Sequence, residues 1–436
     1  METPTATPDS AAAAPQTAAP AGYVRWIVCG LLFFAVVLSY VDRLVISVLK
    51  PDLTAHYHWS ETGYADLALY FQMAYGLSYV VAGPIVDRIG AKLGYSFAIL
   101  LWTAGHVLHT VFTSTSGMIW ARLPMAMGEA GTFPAALAAT NEWFPKRERA
   151  LAIGIFNAGS NVGAIVTPLF VPVIAAAFGW RMAFIATGAL TLLWLAAWLL
   201  FYRRPRQHPM VGARELAWIE SEPAPAQKPV AWLRLLTLRQ TWAYMLGRFL
   251  IDPVWWTFLF WLPDFFNKQY HVKMLNFGPP LVVVYIMADV GSIFGGWTSS
   301  RFLARGWATG RARKAAMAIC ALFALPIAFA TAAPNMWVAV FLIGLACACH
   351  QGFSANVYAL PGDLFPRWAA GSVVGLGGLA GAAGGMLMSK FAGQILENVG
   401  SFQPIFIVAS LAYVVAVAVI HLLVPKYQPV SFTESA

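Results

Sequence analysis

Twelve stretches of about twenty mostly apolar residues, separated by short charged segments, constrain this chain more than any other feature. They lie near 23–44, 62–86, 93–113, 116–141, 149–173, 180–202, 241–263, 277–303, 312–332, 335–361, 370–396 and 401–424. Each is long enough to cross a hydrocarbon layer of about 30 Å as an α-helix. Strands are excluded, because an open sheet would leave backbone groups unpaired in lipid and the runs lack the alternation of a barrel strand. Only 11% of the residues are charged, against about 25% in a soluble domain. The lipid bilayer must therefore surround most of the chain. The expected fold class is an all-α membrane protein of twelve transmembrane helices.

The net charge of +9 would suit nucleic acid, but its placement excludes that partner. Segments after the even-numbered runs hold Arg88, Lys92, Lys146, Arg147, Arg149, Arg203, Arg204, Arg206, Arg214, Lys228, Arg234, Arg239, Arg301, Arg305, Arg311, Arg313, Lys314 and Arg367; those after odd-numbered runs offer Lys50, Lys268, Lys273 and Arg181. The positive-inside rule then puts the even segments and both termini in the cytoplasm. Residues 1–21, rich in Ala, Pro and Thr, read as a disordered tail. The polar connection 203–240 separates a six-helix unit at 22–202 from a second at 241–424, and 425–436 form a closing tail.

The two units repeat. Glu142-Trp-Phe144-Pro145-Lys146 follows run 4 and Asp363-Leu-Phe365-Pro366-Arg367 follows run 10, after which Gly154 and Gly163 match Gly375 and Gly384. Parallel six-helix halves around a midplane site, rocking to alternate access, are a transporter architecture. Cys29, Cys320, Cys347 and Cys349 lie within apolar runs with no disulfide or zinc spacing, so they read as small core residues. No metal or cofactor is expected. No phosphate loop, nucleophile elbow or added soluble domain speaks for an enzyme.

After run 2 comes Gly83-Pro-Ile-Val-Asp87-Arg88-Ile-Gly90-Ala-Lys92, which resembles the major facilitator signature found at that superfamily's cytoplasmic gate. Its glycines allow close approach, and Asp87 can meet a cation or helix end across the halves. A weaker copy, Gly295-Gly296-Trp-Thr-Ser-Ser-Arg301, follows run 8.

Ionisable residues inside the membrane cost roughly 2.5–3.5 kcal/mol each and are functional candidates by default. Run 1 ends in Tyr40-Val-Asp42-Arg43; run 4 holds Arg122 and, two turns on, Glu129; run 7 holds Arg248 and Asp252. His106 and His109 read as packed helix histidines, while Asp289 and His350 are further candidates. A guanidinium in a low-dielectric site suits a carboxylate cargo, since its fork bonds both oxygens, and Arg43 is the first candidate. Burial disfavours the charged form of a carboxylic acid, which lets Glu129 and Asp42 carry a proton. Tyr75, Trp255 and Trp256 can present flat apolar faces to a ligand.

The gate signature, Asp42-Arg43, the Arg122/Glu129 spacing and Glu142-Trp-Phe-Pro-Lys-Arg-Glu-Arg-Ala together resemble the anion:cation symporter family of the major facilitator superfamily. That family includes bacterial hexuronate and D-galactonate transporters and, more distantly, sialin and the vesicular glutamate transporters. Phe156-Asn157-Ala-Gly159-Ser160, Arg248-Phe-Leu-Ile-Asp252-Pro253-Val-Trp255, His350-Gln351 and Gly375-Leu-Gly-Gly-Leu-Ala-Gly381 bring the hexuronate branch closest. The resemblance, over about 23–424, implies the major facilitator fold with two pseudo-symmetric halves. It implies a substrate arginine at Arg43, a proton-linked glutamate at Glu129 with Arg122 nearby, a second protonatable acid at Asp42, and a cavity tyrosine at Tyr75. Ser160, Asn161, Ser354 and Asn356 are the nearest polar residues for sugar hydroxyls, and Tyr40 and Trp255 complete the expected substrate-binding set. The hexuronate branch often lacks an acid before the helix-1 arginine, whereas this chain has Asp42.

The resulting expectation is a monomeric, multi-pass protein of a bacterial inner membrane that imports a sugar acid together with protons. A symporter of another small organic anion, such as a mono- or dicarboxylate, and a drug exporter on the same fold are the alternatives. The exporter would tolerate loss of Arg43.

Overall fold

The computed structural model describes residues 22–221 and 232–430. The expected tail at 1–21, residues 222–231 of the connection and the last six residues of the closing tail lie outside them. The elements are α1 (Val24–Tyr57), α2 (Glu61–Leu108), α3 (Thr115–Trp143), α4 (Lys146–Phe178), α5 (Trp180–Phe201), the short helices α6 (Ala213–Ile219) and α7 (Trp232–Leu236), then α8 (Arg239–Tyr270), α9 (Gly278–Ala304), α10 (Thr309–Ala324, continued as a 3-10 helix over Leu325–Ala332), α11 (Met336–Leu364), α12 (Arg367–Asn398) and α13 (Gln403–Leu423). Among the described residues there is no strand.

Among the described residues the twelve expected runs are all helical, with α2 holding two of them. Gly90 sits inside it at φ 82° and ψ 162°, a conformation that only a residue without Cβ adopts cheaply. The first pass is longer than its apolar run: α1 continues to Tyr57, so Lys50 lies in a helix rather than a loop. Nine of the described helices are long and apolar enough to cross a membrane. The long helices α3 and α8 fall outside that set, and they carry Arg122, Glu129, Arg248, Asp252 and Asp264. Large apolar side chains such as Leu193, Leu200 and Ile293 point outward, as a surface meeting lipid requires.

The repeat is visible in local geometry. Proline forces the residue before it into extended backbone, and Phe144 (φ −121°, ψ 132°) and Phe365 (φ −119°, ψ 149°) take nearly the same conformation before Pro145 and Pro366. The acid four residues before the basic position of each turn is held by a tyrosine beyond the unit's last helix. Tyr202 Oη donates to Glu142 Oε2 at 2.8 Å, and Tyr427 Oη to Asp363 Oδ2 at 2.9 Å. The helices that open the two units, α1 and α8, both end on a histidine with positive φ, His58 and His271.

The matched glycines differ in what they do. Gly163 brings α4 against α1, and Gly384 brings α12 against α8, where a Cβ would overlap the Phe249 carbonyl oxygen. A Cβ on Gly163 would sit 2.6 Å from the Val37 carbonyl oxygen, whereas one on Gly154 meets nothing within 4 Å. Gly163→Ala is therefore expected to cost about 1–3 kcal/mol by forcing α4 and α1 apart. Gly154→Ala should be neutral or stabilising by up to about 1 kcal/mol. Thermal unfolding of the detergent-purified protein, followed by size-exclusion recovery, checks the pair; equal effects would show that Gly163 is not a contact position.

The bundle has a basic face, carrying Arg88, Lys92, Arg313 and the described parts of the connection, 203–221 and 232–240, and an opposite face. The ion pairs that join the first six passes to the last six are all at the opposite face, among the described residues: Lys50–Asp264 at 2.5 Å, Lys268–Glu61, and Lys390–Asp66 at 2.7 Å. Lys50 is buried there, boxed by the Trp261 and Tyr64 rings at 4.3 and 4.6 Å. Tyr64 Oη also donates to the Phe260 carbonyl at 2.8 Å. The bundle is thus tied shut at the face opposite the basic one.

Candidate functional site

Arg43 and Glu129 meet at mid-bundle. Arg43 Nε and Nη2 donate to Glu129 Oε2 at 2.7 and 2.5 Å. Both side chains are at most 5% exposed, so this is a fully desolvated pair whose charges depend on each other. Both donors fall on one oxygen, and Glu129 Oε1 is buried without a hydrogen-bond partner. Four rings surround the guanidinium: Tyr40 at 4.7 Å, Trp256 at 5.2 Å, Tyr75 at 5.3 Å and Phe71 at 5.5 Å. These rings supply cation–π contact while excluding water.

The sequence spacing places both Arg122 and Glu129 against α1, yet they do not form an ion pair. Arg122 is buried with its guanidinium over Phe71 at 4.7 Å and Nη1 donating to the Arg43 carbonyl at 3.5 Å. Its Nε has no hydrogen-bond partner. Asp42 points away from Arg43, as adjacent helical positions must. Trp102 Nε1 and Thr191 Oγ1 each donate to its Oδ2 at 3.0 Å, and His106 Nε2 lies 3.3 Å from Oδ1. His106 is thus more than a packed histidine: it faces a carboxylate, though it also bonds Thr187 Oγ1 at 2.8 Å. His109, by contrast, stacks on Phe184 and bonds the Gly105 carbonyl.

The expected ligand-contacting residues separate into two groups. Tyr40 and Tyr75 line the Arg43 site. Ser160, Asn161, Trp255, Ser354 and Asn356 engage other partners. Ser160 Oγ donates to the Asn157 carbonyl, and Asn161 Nδ2 donates to Asp289 Oδ1, joining α4 to α9. Asn356 Nδ2 donates to the Gly295 and Gly352 carbonyls at 3.1 and 2.9 Å, clamping α11 on α9. Ser354 Oγ bonds His350 Nε2 at 3.2 Å, while Tyr413 Oη bonds Nδ1 and Trp255 stacks on the ring at 5.2 Å. Trp256 is the tryptophan that reaches Arg43. The sequence pair Trp255-Trp256 signals it without saying which ring turns inward, because successive residues point about 100° apart.

At the signature, Gly90 makes the turn and Lys92 Nζ donates to the Leu199 carbonyl at 2.8 Å, placing a cation on the C-terminal end of α5. Gly83 faces open space, and Asp87 and Arg88 are exposed. Among the described residues no ion pair joins Asp87 or Arg88 to the last six passes. No group of three or more His, Cys, Asp or Glu able to hold a metal occurs among the described residues.

The family model described as Major Facilitator Superfamily matches residues 32–355. The chain is 30% identical to the hexuronate transporter of Escherichia coli (strain K12) over 396 residues, covering 89% of this chain and 91% of that one. It is 34% identical to the galacturonate transporter of Dickeya chrysanthemi over 285 residues, 64% of this chain and 82% of the relative. The fold is similar to the crystal structure of a D-xylose-proton symporter, with a TM-score of 0.70 at 17% identity, over 94% of this chain and all of that one.

Proposed function

The chain belongs to the Major Facilitator Superfamily, and on that premise we propose that it imports a sugar acid of the hexuronate type together with protons, by alternating access. The observation that carries this reading is the buried Arg43–Glu129 pair inside a ring of aromatic side chains. The names of the hexuronate and galacturonate transporters support the cargo class.

In the structure Glu129 occupies the edge of the guanidinium that a cargo carboxylate would need. A proton on Glu129 weakens that bond and frees Arg43; cargo then takes its place through the same two donors. Charge counting supports the coupling. Arg43 and Arg122 balance Glu129 and Asp42, so the empty site is formally neutral. An arriving monoanion makes it negative, and one proton restores neutrality, which matters where uncompensated charge is costly. Tyr40, Tyr75 and Trp256 then pack the sugar face. With the basic face in the cytoplasm, the ties at Lys50, Asp264, Glu61 and Lys390 close the outer side, and the protein is inward-facing. The membrane is the bacterial inner membrane, both termini are cytoplasmic, and the working unit is the monomer, with 22–202 and 241–424 as the rocking halves.

Thermal stabilisation of the purified protein tests the cargo class. D-galacturonate and D-glucuronate should raise the melting temperature by several degrees, as ligands binding only the folded state do. Neutral hexoses and lipophilic cations should not. Stabilisation by lipophilic cations alone would move the protein to drug export.

A further inference from the structure

The mechanism above makes no use of Arg248 and Asp252, although each carries a heavy cost at membrane depth. Arg248 Nε and Nη2 donate to Asp252 Oδ2 at 2.8 and 2.6 Å. Both bonds fall on one oxygen, while Asp252 Oδ1 is buried without a hydrogen-bond partner. Asp252 is backed by Gly381 of α12, where any Cβ would overlap its carboxylate. The guanidinium is not sealed: its side chain is 18% exposed and it lies 4.8 Å over the Tyr358 ring. Tyr358 is itself 47% exposed. Tyr244 lies one turn before Arg248 on α8, and Tyr244 and Tyr79 meet α12 at the neighbouring Gly377 and Gly378.

Arg248 also stands on a route away from Arg43. It precedes Trp256, whose ring touches Arg43 at 5.2 Å, by eight residues of α8. That is about 12 Å along the helix toward the basic face. On α2 the rings of Phe71, Tyr75 and Tyr79 stack one turn apart at 6.2 and 6.0 Å. Tyr75 lies beside Arg43, and Tyr79 meets α12 at Gly378, next to the Gly377 contact of Tyr244, so an aromatic file runs from Arg43 toward the turn of α8 that carries Arg248. An anion leaving Arg43 toward the basic face meets Arg248 next.

We infer that Arg248 is a second carboxylate-binding site for the cargo, a relay between Arg43 and the basic face, with Asp252 as a built-in competitor. The inference rests on the sugar-acid reading of the cargo. In the relay the cargo carboxylate displaces Asp252 Oδ2 from the guanidinium fork. A fork without a competitor would trap the anion; Asp252 keeps the site weak enough for release.

The test titrates the full-length purified protein with D-galacturonate by calorimetry. Arg43→Ala should retain weak binding through Arg248. Adding Asp252→Asn should tighten it about tenfold, the equivalent of one charge-assisted hydrogen bond. Adding Arg248→Gln to that double variant should abolish it. Asp252→Asn alone should lower both KM and maximal uptake rate in proteoliposomes, as a stickier relay requires. A purely structural pair predicts a lower melting temperature for Asp252→Asn with no gain in affinity, and that result overturns the relay. Wild-type binding without any gain in the double variant rejects the relay alone. Absence of binding by the wild type rejects the cargo reading and the relay with it.

Discussion

Arg43→Ala is expected to reduce sugar-acid uptake roughly a hundredfold or more. Two charge-assisted hydrogen bonds to a carboxylate are worth about 3 kcal/mol or more together, and each 1.4 kcal/mol is a factor of ten. The substitution also leaves Glu129 buried, 2% exposed and without its cation, which destabilises the fold by about 3–5 kcal/mol unless the acid takes up a proton. Loss of uptake in Arg43→Ala alone would thus confound two effects. Arg43→Ala/Glu129→Gln separates them, because it removes both members of the pair. It should recover stability but not transport. Arg43→Lys keeps a point charge without the fork and should fall between, with uptake reduced about tenfold. Transport by the folded double variant at the wild-type rate would refute Arg43 as the cargo's anchor.

Glu129→Gln should have a different signature. The amide oxygen can still accept from Arg43, so the fold is kept, but the side chain no longer gains or loses a proton. Exchange of external for internal sugar acid needs only the loaded carrier to reorient, and should persist. Accumulation against a gradient needs the proton to bias loaded over empty states, and should fall to the level set by the substrate gradient alone. Cargo affinity, which in the wild type should weaken as pH rises and Glu129 competes for Arg43, should become independent of pH. Proton-driven accumulation in Glu129→Gln would transfer the coupling to Asp42 and its His106, Trp102 and Thr191 partners.

The bundle and its repeat were legible because they rest on local rules. Apolar run length sets the passes, proline sets the extended residue before it, and glycine marks the break in α2. Arg43 and Glu129 were legible because charge at membrane depth is rare and costly. What side chains do across helices was not. Asn161, Asn356 and Ser354 look like ligand contacts, since polarity in a membrane helix signals some partner without naming it. Their partners are Asp289, the carbonyls of α9 and α11, and His350. Lys50 counts as a loop lysine only if α1 ends with its apolar run. In the fold it is 1% exposed, between Asp264 and Glu61, a tie that no local pattern encodes because its acids lie on two other helices. The same limit hid His106 beside Asp42, a contact between helices sixty-four residues apart in the chain.

Symport of a sugar acid with protons through Arg43 and Glu129 is tested most directly by recording proton flux during transport. Wild-type protein, reconstituted in liposomes with a pH-sensitive dye trapped inside, receives external D-galacturonate with no imposed gradient. The account predicts immediate acidification of the interior that scales with sugar-acid uptake, is absent with D-galactose, and is lost in Glu129→Gln while exchange continues. Uptake of D-galacturonate with no accompanying proton movement in the wild type would contradict it.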